Sequence, residues 1–241
     1  MNDKLIIALD VDSATEARAL WHKLRAHAGM FKIGSQLFTA AGPDFVREIV
    51  GAGGRVFLDL KFHDIPNTVA GACREAVRLG VTLFNVHAAG GAEMLRRAAE
   101  ATAETAAREG LPRPSLIAVT VLTSSDAATL AEIGVADAPA AQVTRLARLA
   151  AACGLDGVVA SPHEIALVRA AVTRADFLIV TPGVRPRAAA QDDQKRVLTP
   201  TEAVRAGADY LVVGRAILNA SDPLRAAAEI SAEMTQAAVK E

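Results

Sequence analysis

Eight short apolar runs recur along the chain, separated by stretches that are helical in pattern. The runs are KLIIALD (4–10), MFKIG (30–34), RVFLDLK (55–61), LFNVHA (83–88), SLIAVTVL (115–122), GVVAS (157–161), FLIVTPG (177–183) and YLVVGRA (210–216). Between them lie Ala-, Arg- and Glu-rich segments such as AEMLRRAAEATAETAARE, with apolar residues at helical spacing. Strands that are apolar on both faces and alternate with helices demand a parallel sheet covered by helices. Ser13-x-x-Glu16, Ser161-Pro-x-Glu164 and Thr199-Pro-x-Glu202 each offer a capping box where a helix should begin. Eight strand–helix units of roughly thirty residues predict an α/β chain folded as a single (β/α)₈ barrel over residues 1–241. The rival, a doubly wound open sheet, usually carries a Gly-rich turn after its first strand, and ALDVDSATE has none.

Composition excludes several function classes. A formal net charge of −1 gives no basis for binding nucleic acid or an anionic membrane surface. No apolar run approaches the ~20 residues of a membrane span, and LIIAL is too short for a signal-peptide core. Cys73 and Cys153 lie far apart in helical patterns. They form neither a disulfide framework nor a zinc site, which is the expectation for reduced core residues of a cytoplasmic protein.

In such a barrel, functional groups gather at the C-terminal ends of the strands. Asp10, Lys32, Asp59 with Lys61, His87, Thr123 and Arg215 all fall there. Taken singly, each is expected to be solvated or paired with a neighbouring helix. The segment RVFLDLKFHDIPNT (55–68) is different, because Asp59 and Lys61 interrupt an otherwise buried strand and Asp64 follows three residues later. Residues two apart on a strand share a side, and buried charges require partners. If Asp64 curls back over the barrel mouth, Lys61 stands between two carboxylates that keep its ammonium charged. Such a lysine is a poor Schiff-base nucleophile. It suits proton delivery to a carbon that becomes negative, while the acids repel an anionic group bound beside them. His63 and His87 could be metal ligands with Asp59 and Asp64, but a lysine among them opposes a cation. They are expected instead to be hydrogen-bonded strand-end residues.

TPGVRPRAAAQDDQKRVLTP (181–200) is too polar and too rich in Gly and Pro for core. It follows strand seven, where barrels often place a phosphate site shared with the loop after strand eight. Arg185 and Arg215 each offer a planar fork for phosphate, and Gly214 lets backbone approach closely. Arg187, Lys195 and Arg196 are expected to be solvated.

These motifs together resemble the orotidine 5'-phosphate decarboxylase family. DLKFHD followed by IPNT is similar to its signature, and ALD, FKIG, NVHAAGG, AVTVLTS, TPGVRP, DDQKR and VVGRAI continue the likeness in order along the chain. The resemblance implies decarboxylation of orotidine 5'-monophosphate to uridine 5'-monophosphate and CO₂, without cofactor or metal. It implies that Asp10 and Lys32 bind the ribose hydroxyls, Lys32 also joining Asp59, Lys61 and Asp64 in a charge array. Thr123 would read the pyrimidine edge, Arg185, Gln194, Gly214 and Arg215 would hold the phosphate, and Gln194 would bridge phosphate and base. A homodimer is implied too, with Asp64, Ile65 and Thr68 contributed across its interface. D-x-K-x-x-D alone also occurs in magnesium-dependent sugar-phosphate lyases on related barrels, which tend to carry an acid where Lys32 stands. A non-catalytic phosphate-binding barrel is the third possibility.

Overall fold

A computed structural model of the protein describes residues 2–185 and 198–238. Eight parallel strands close into a barrel in sequence order: β1 (Leu5–Ala8), β2 (Met30–Gly34), β3 (Val56–Phe62), β4 (Leu83–His87), β5 (Ser115–Val119), β6 (Gly157–Val159), β7 (Leu178–Pro182) and β8 (Tyr210–Val213). The β1–β8 register, with Ile6 opposite Val212, completes the ring. The expected (β/α)₈ barrel is therefore the observed one. Around it run α1 (Ala14–Leu24), α2 (Ser35–Gly51), α3 (Pro66–Arg78), α4 (Gly91–Glu109), α5 (Ala127–Glu132), α6 (Pro139–Ala152), α7 (Ile165–Ala171), α8 (Pro200–Arg205), α9 (Arg215–Leu218) and α10 (Pro223–Ala238).

Strand alternation divides the apolar residues into two cores. Ile6, Met30, Phe57, Leu83, Ile117, Val180 and Val212 come from seven strands yet pack on one another, which is possible only inside the barrel. Leu5, Ile7, Phe31, Ile33, Leu58, Phe84 and Val86 face the helix layer. Each fully buried Ile, Leu or Phe contributes about 1.5–3 kcal/mol, so the barrel interior is a packed floor rather than a pore.

Two of the three capping boxes are complete. Ser161 and Glu164, and Thr199 and Glu202, exchange side-chain and backbone hydrogen bonds, the first pair on a 3-10 turn that leads into α7. At α1, Ser13 Oγ accepts from the Glu16 N–H. Several strands are shorter than their apolar runs. β1 stops at Ala8, β5 at Val119 and β8 at Val213, because the chain leaves the ladder to form the loops of the barrel mouth. Two short helices, α5 and α9, lie outside a simple eightfold alternation. α5 starts where Asp126 caps the Thr129 N–H.

The opposite rim is fastened by acids. Asp156 Oδ2 accepts from the Leu116 N–H, and Asp209 Oδ2 accepts from the Ile179 N–H and pairs with Arg169.

Candidate active site

The alternation that sends Met30 and Phe57 into the floor sends Lys32 and Asp59 one layer higher on the same side. Both are buried. Leu83 and Asn85 stand in the same relation on β4, and Asn85 is 1% exposed. The floor is thus apolar and the layer above it is charged and amidic.

Lys61 would continue that alternation, but β3 is irregular here. Its pairing with β4 shifts register between Leu58 and Phe62, and Lys61 has φ +53°, the only positive φ of a non-glycine among the described residues. The Lys61 N–H, displaced from the ladder, donates to Asn85 Oδ1 at 2.8 Å. Asp59 and Lys61 do meet, yet through this bulge rather than through the plain two-residue alternation expected from sequence.

Four charges form an alternating chain. Lys32 Nζ lies 2.8 Å from Asp10 Oδ1 and 3.4 Å from Asp59 Oδ2, and Lys61 Nζ lies 2.7 Å from Asp59 Oδ1. Asn85 Nδ2 also donates to Asp59 Oδ1, at 2.7 Å. Burial pushes the Asp59 carboxyl up, but Lys32, Lys61 and the hydrogen bonds from Lys61 and Asn85 together hold it below its ordinary value. Asp59 is an anion near neutral pH, compensated by two ammonium groups.

Asp64 does not curl back over Lys61 within one chain. Its Oδ1 accepts from the Ile65 N–H at 2.6 Å, and the carboxylate paired with Lys61 among the described residues is that of Asp59. Asp64, Ile65 and Thr68 are exposed together where β3 passes into α3, Ile65 by 67%. His63 and His87 form no hydrogen bond through their rings among the described residues. The rings instead lie against each other, 5.5 Å between centroids. Hydrogen-bonded roles expected for them are not observed. Burial, His63 and Lys61 lower the pKa of His87, against the opposing charge of Asp59.

Two adjoining clefts open above this layer. One, of about 190 Å³, is lined by Asp59, Lys61 and Lys32 on one side and by Phe57, Val119, Val159, Pro182 and Val212 on the other. The second, of about 240 Å³, is lined by Asp10, Lys32, Thr123, Arg185, Gly214 and Arg215. Lys32, Thr123, Pro182 and Val212 border both, so the two are compartments of one cleft. Gly214 precedes α9, and Arg215 is the first residue of that helix rather than the end of a strand. The Arg185 N–H donates to Leu198 O at 3.3 Å, closing the base of the loop between β7 and α8. Gln194, with Arg187, Lys195 and Arg196, lies outside the described residues. Among the described residues no group of three or more His, Cys, Asp and Glu is disposed to hold a metal ion.

The residue that sequence reasoning missed is Asn85. Its signal was present, an amide inside the apolar run LFNVH, where a buried polar side chain must find partners.

The arrangement has the attributes of a site for a phosphorylated molecule with a flat apolar part. Two arginines stand at one end, the Asp10–Lys32 pair in the middle, and a walled slot ending in a carboxylate–ammonium pair at the other. Comparison with known proteins shows one family. Residues 3–230 match the model of the Orotidine 5'-phosphate decarboxylase / HUMPS family. An orotidine 5'-phosphate decarboxylase of Syntrophotalea carbinolica is 57% identical over 97% of this chain and 96% of its own length. That of Moorella thermoacetica is 56% identical over 96% of this chain and 92% of its own. The crystal structure of orotidine 5'-phosphate decarboxylase from Lactobacillus acidophilus superposes with a TM-score of 0.84 at 38% identity, covering 95% of this chain and 98% of that one.

Proposed function

The chain belongs to the Orotidine 5'-phosphate decarboxylase / HUMPS family, and on that premise we propose that it converts orotidine 5'-monophosphate to uridine 5'-monophosphate and CO₂, the last step of de novo pyrimidine nucleotide synthesis. The observation that carries the reading is the Lys61–Asp59 pair, 2.7 Å apart, at the closed end of a cleft whose other end holds Arg185 and Arg215. Phosphate binds between the two guanidiniums and beside Gly214, and Gln194 joins it from the loop. Asp10 and Lys32 take the ribose hydroxyls. The pyrimidine lies in the slot against Val119, Val159, Pro182 and Val212, with Thr123 at its edge.

In that pose the substrate carboxylate faces Asp59. Two anions at contact repel, and binding energy gathered at the remote phosphate holds them together. Loss of CO₂ leaves an electron pair on C6 of the ring. The Lys61 ammonium stabilises that charge and gives it a proton: an N–H bond breaks, a C6–H bond forms, and the neutral amine regains its proton from water. The reaction consumes one proton and transfers no electrons, so the chemistry calls for neither a redox nor a carbonyl cofactor. Lys32 supports the reading over that of a magnesium-dependent lyase, because its ammonium stands between the carboxylates of Asp10 and Asp59 where a divalent cation would otherwise balance charge.

We further assign one barrel domain to residues 1–241 and a homodimer that brings Asp64, Ile65 and Thr68 of each chain to the other's cleft. The exposure of these three side chains and the absence of an Asp64–Lys61 contact within one chain support it. Cys73 and Cys153 are unpaired and buried, and burial pushes the Cys73 thiol up to about 12. Such inert thiols suit the reducing cytoplasm. No helix among the described residues is long and apolar enough to cross a membrane.

The test is direct. Loss of orotate absorbance on conversion of orotidine 5'-monophosphate to uridine 5'-monophosphate should proceed undiminished with a chelator present. Turnover that stops on chelation, or uridine 5'-monophosphate binding without any turnover, would overturn the assignment.

A further inference from the structure

We propose that Asn85 is a positioning residue that sets both the backbone of Lys61 and the carboxylate of Asp59 through one amide; the inference rests on the reading of Lys61 as proton donor. Three hydrogen bonds close a ring. The Lys61 N–H donates to Asn85 Oδ1 (2.8 Å), Asn85 Nδ2 donates to Asp59 Oδ1 (2.7 Å), and Lys61 Nζ donates to that same oxygen (2.7 Å).

Each member of the ring needs the others. A non-glycine residue with φ +53° is strained, and such a conformation persists only where its surroundings over-determine it. The register shift between Leu58 and Phe62 takes the Lys61 N–H out of the β3–β4 ladder. An N–H left without a partner beside a buried layer adds a further cost. Asn85 removes that cost. With 1% of its surface exposed it is shielded from bulk solvent, and its second function, the Nδ2 donor, holds Asp59 Oδ1 at the lysine.

Amide chemistry is the one that fits. The position requires an acceptor for a backbone N–H and a donor for a carboxylate on two adjacent atoms. An aliphatic side chain supplies neither. Glutamine carries the pair one methylene too far. An ionised aspartate accepts but cannot donate, and would set two carboxylates face to face. A protonated aspartic acid, however, is nearly isosteric with asparagine and supplies both functions.

That last point makes the experiment selective. Asn85→Ala and Asn85→Asp are compared with the parent by steady-state kinetics on orotidine 5'-monophosphate. Asn85→Ala should lower kcat by about 100-fold while KM changes by less than about fivefold, because the phosphate and ribose contacts are untouched. For Asn85→Asp, the ratio of its kcat to the parent's at the same pH should rise as pH falls from about 8 to about 6. The introduced carboxyl, buried beside Asp59, holds its proton more readily there and regains the missing donor. Hydrogen exchange of the Lys61 amide, followed by NMR without substrate, should be slow in the parent and fast in Asn85→Ala. Thermal unfolding identifies any variant that fails to fold, and Asn85→Asp at low pH then remains as the test. A parental kcat in Asn85→Ala, or a pH-independent ratio in Asn85→Asp, would overturn the inference. A parent that does not turn over the substrate would sink the functional reading instead, and the exchange measurement would still report on the clamp.

Discussion

Lys61 combines two demands that oppose each other, since its side chain must reach Asp59 and its backbone must leave the strand conformation to do so. The left-handed φ of +53° is unfavourable for any residue with a Cβ, and glycine alone adopts it freely. Lys61→Ala should abolish turnover by many tenfold steps, each about 1.4 kcal/mol of barrier, while uridine 5'-monophosphate still binds. Lys61→Gly should be equally inactive yet more stable than Lys61→Ala by about 1 kcal/mol, which in a chain of this length raises Tm by roughly 2–4 °C. Equal melting temperatures for the two variants would show that the backbone is not strained. Asp59 shows the complementary electrostatics. Its carboxyl is held below the ordinary value despite burial, so its charge adds stability that is present above the unfolded carboxyl pKa of about 3.9 and is lost as pH falls through the lower folded value. Asp59→Asn should therefore destabilise the fold near neutral pH, by about 1–3 kcal/mol given that Lys61 is part-exposed. The deficit should shrink below about pH 4, as followed by melting temperature against pH; a deficit that does not vary with pH would assign it to packing.

At the scale of elements, β3 and α9 separate what the sequence displays from what it conceals. Alternation and helical spacing report on every residue of a regular segment at once, and for that reason the strand order and the closed barrel were legible. Alternation alone left open whether Asp59 faced the barrel mouth or the helix layer, and the fold buries it on the inner side with Lys32. A bulge is a property of two strands. The slip between Leu58 and Phe62 depends on what β4 offers opposite, and no local pattern in RVFLDLK announces it. The consequence falls on Asn85, whose meaning appears only once Lys61 N–H is seen to lack a ladder partner. Strand ends behave likewise. Apolar character continues through YLVVGRA, but backbone pairing stops at Val213, and Gly214 turns the chain into α9. Arg215 is thereby carried on a short helix at the rim, exposed, beside the 240 Å³ compartment. It borders that compartment and not the one lined by Asp59 and Lys61, so in the proposed pose its guanidinium meets the phosphoryl group alone. Arg215→Ala should remove charge-assisted hydrogen bonds of about 1.5–3 kcal/mol and raise KM about 10- to 100-fold. Phosphate binding that serves only to anchor leaves kcat unchanged, whereas binding energy used to hold the carboxylate against Asp59 lowers kcat as well. We expect both parameters to change, and steady-state kinetics at saturating substrate decide the matter; an intact kcat would confine phosphate to anchoring.

The whole molecule separates stability from chemistry along the barrel axis. Asp156 and Asp209 fasten strands at the bottom rim with backbone N–H and arginine partners, the apolar floor fills the middle, and the strained lysine and alternating charges occupy the top. Strain and buried charge are thus placed where a rigid scaffold below can hold them. One group of the proposed site is not supplied by this axis. Within one chain Asp64 forms no ion pair with Lys61, its Oδ1 accepting instead from the Ile65 N–H, and Ile65 and Thr68 are exposed beside it. An apolar side chain 67% exposed suits a contact with a second copy. If a two-fold dimer exchanges these residues, every site is built from both chains. Lys61→Ala and Asp64→Ala homodimers should then each be inactive, while their mixture should not. In a mixed dimer one site receives both defects and the other receives neither. Random exchange of equal amounts yields half mixed dimers, so about a quarter of the parental activity should return. Were Asp64 to act within its own chain, both sites of a mixed dimer would be defective and no activity would reappear. Subunits unfolded and refolded together, then assayed against the two variants refolded separately, distinguish the arrangements, because recovery requires an intact site assembled from two damaged chains.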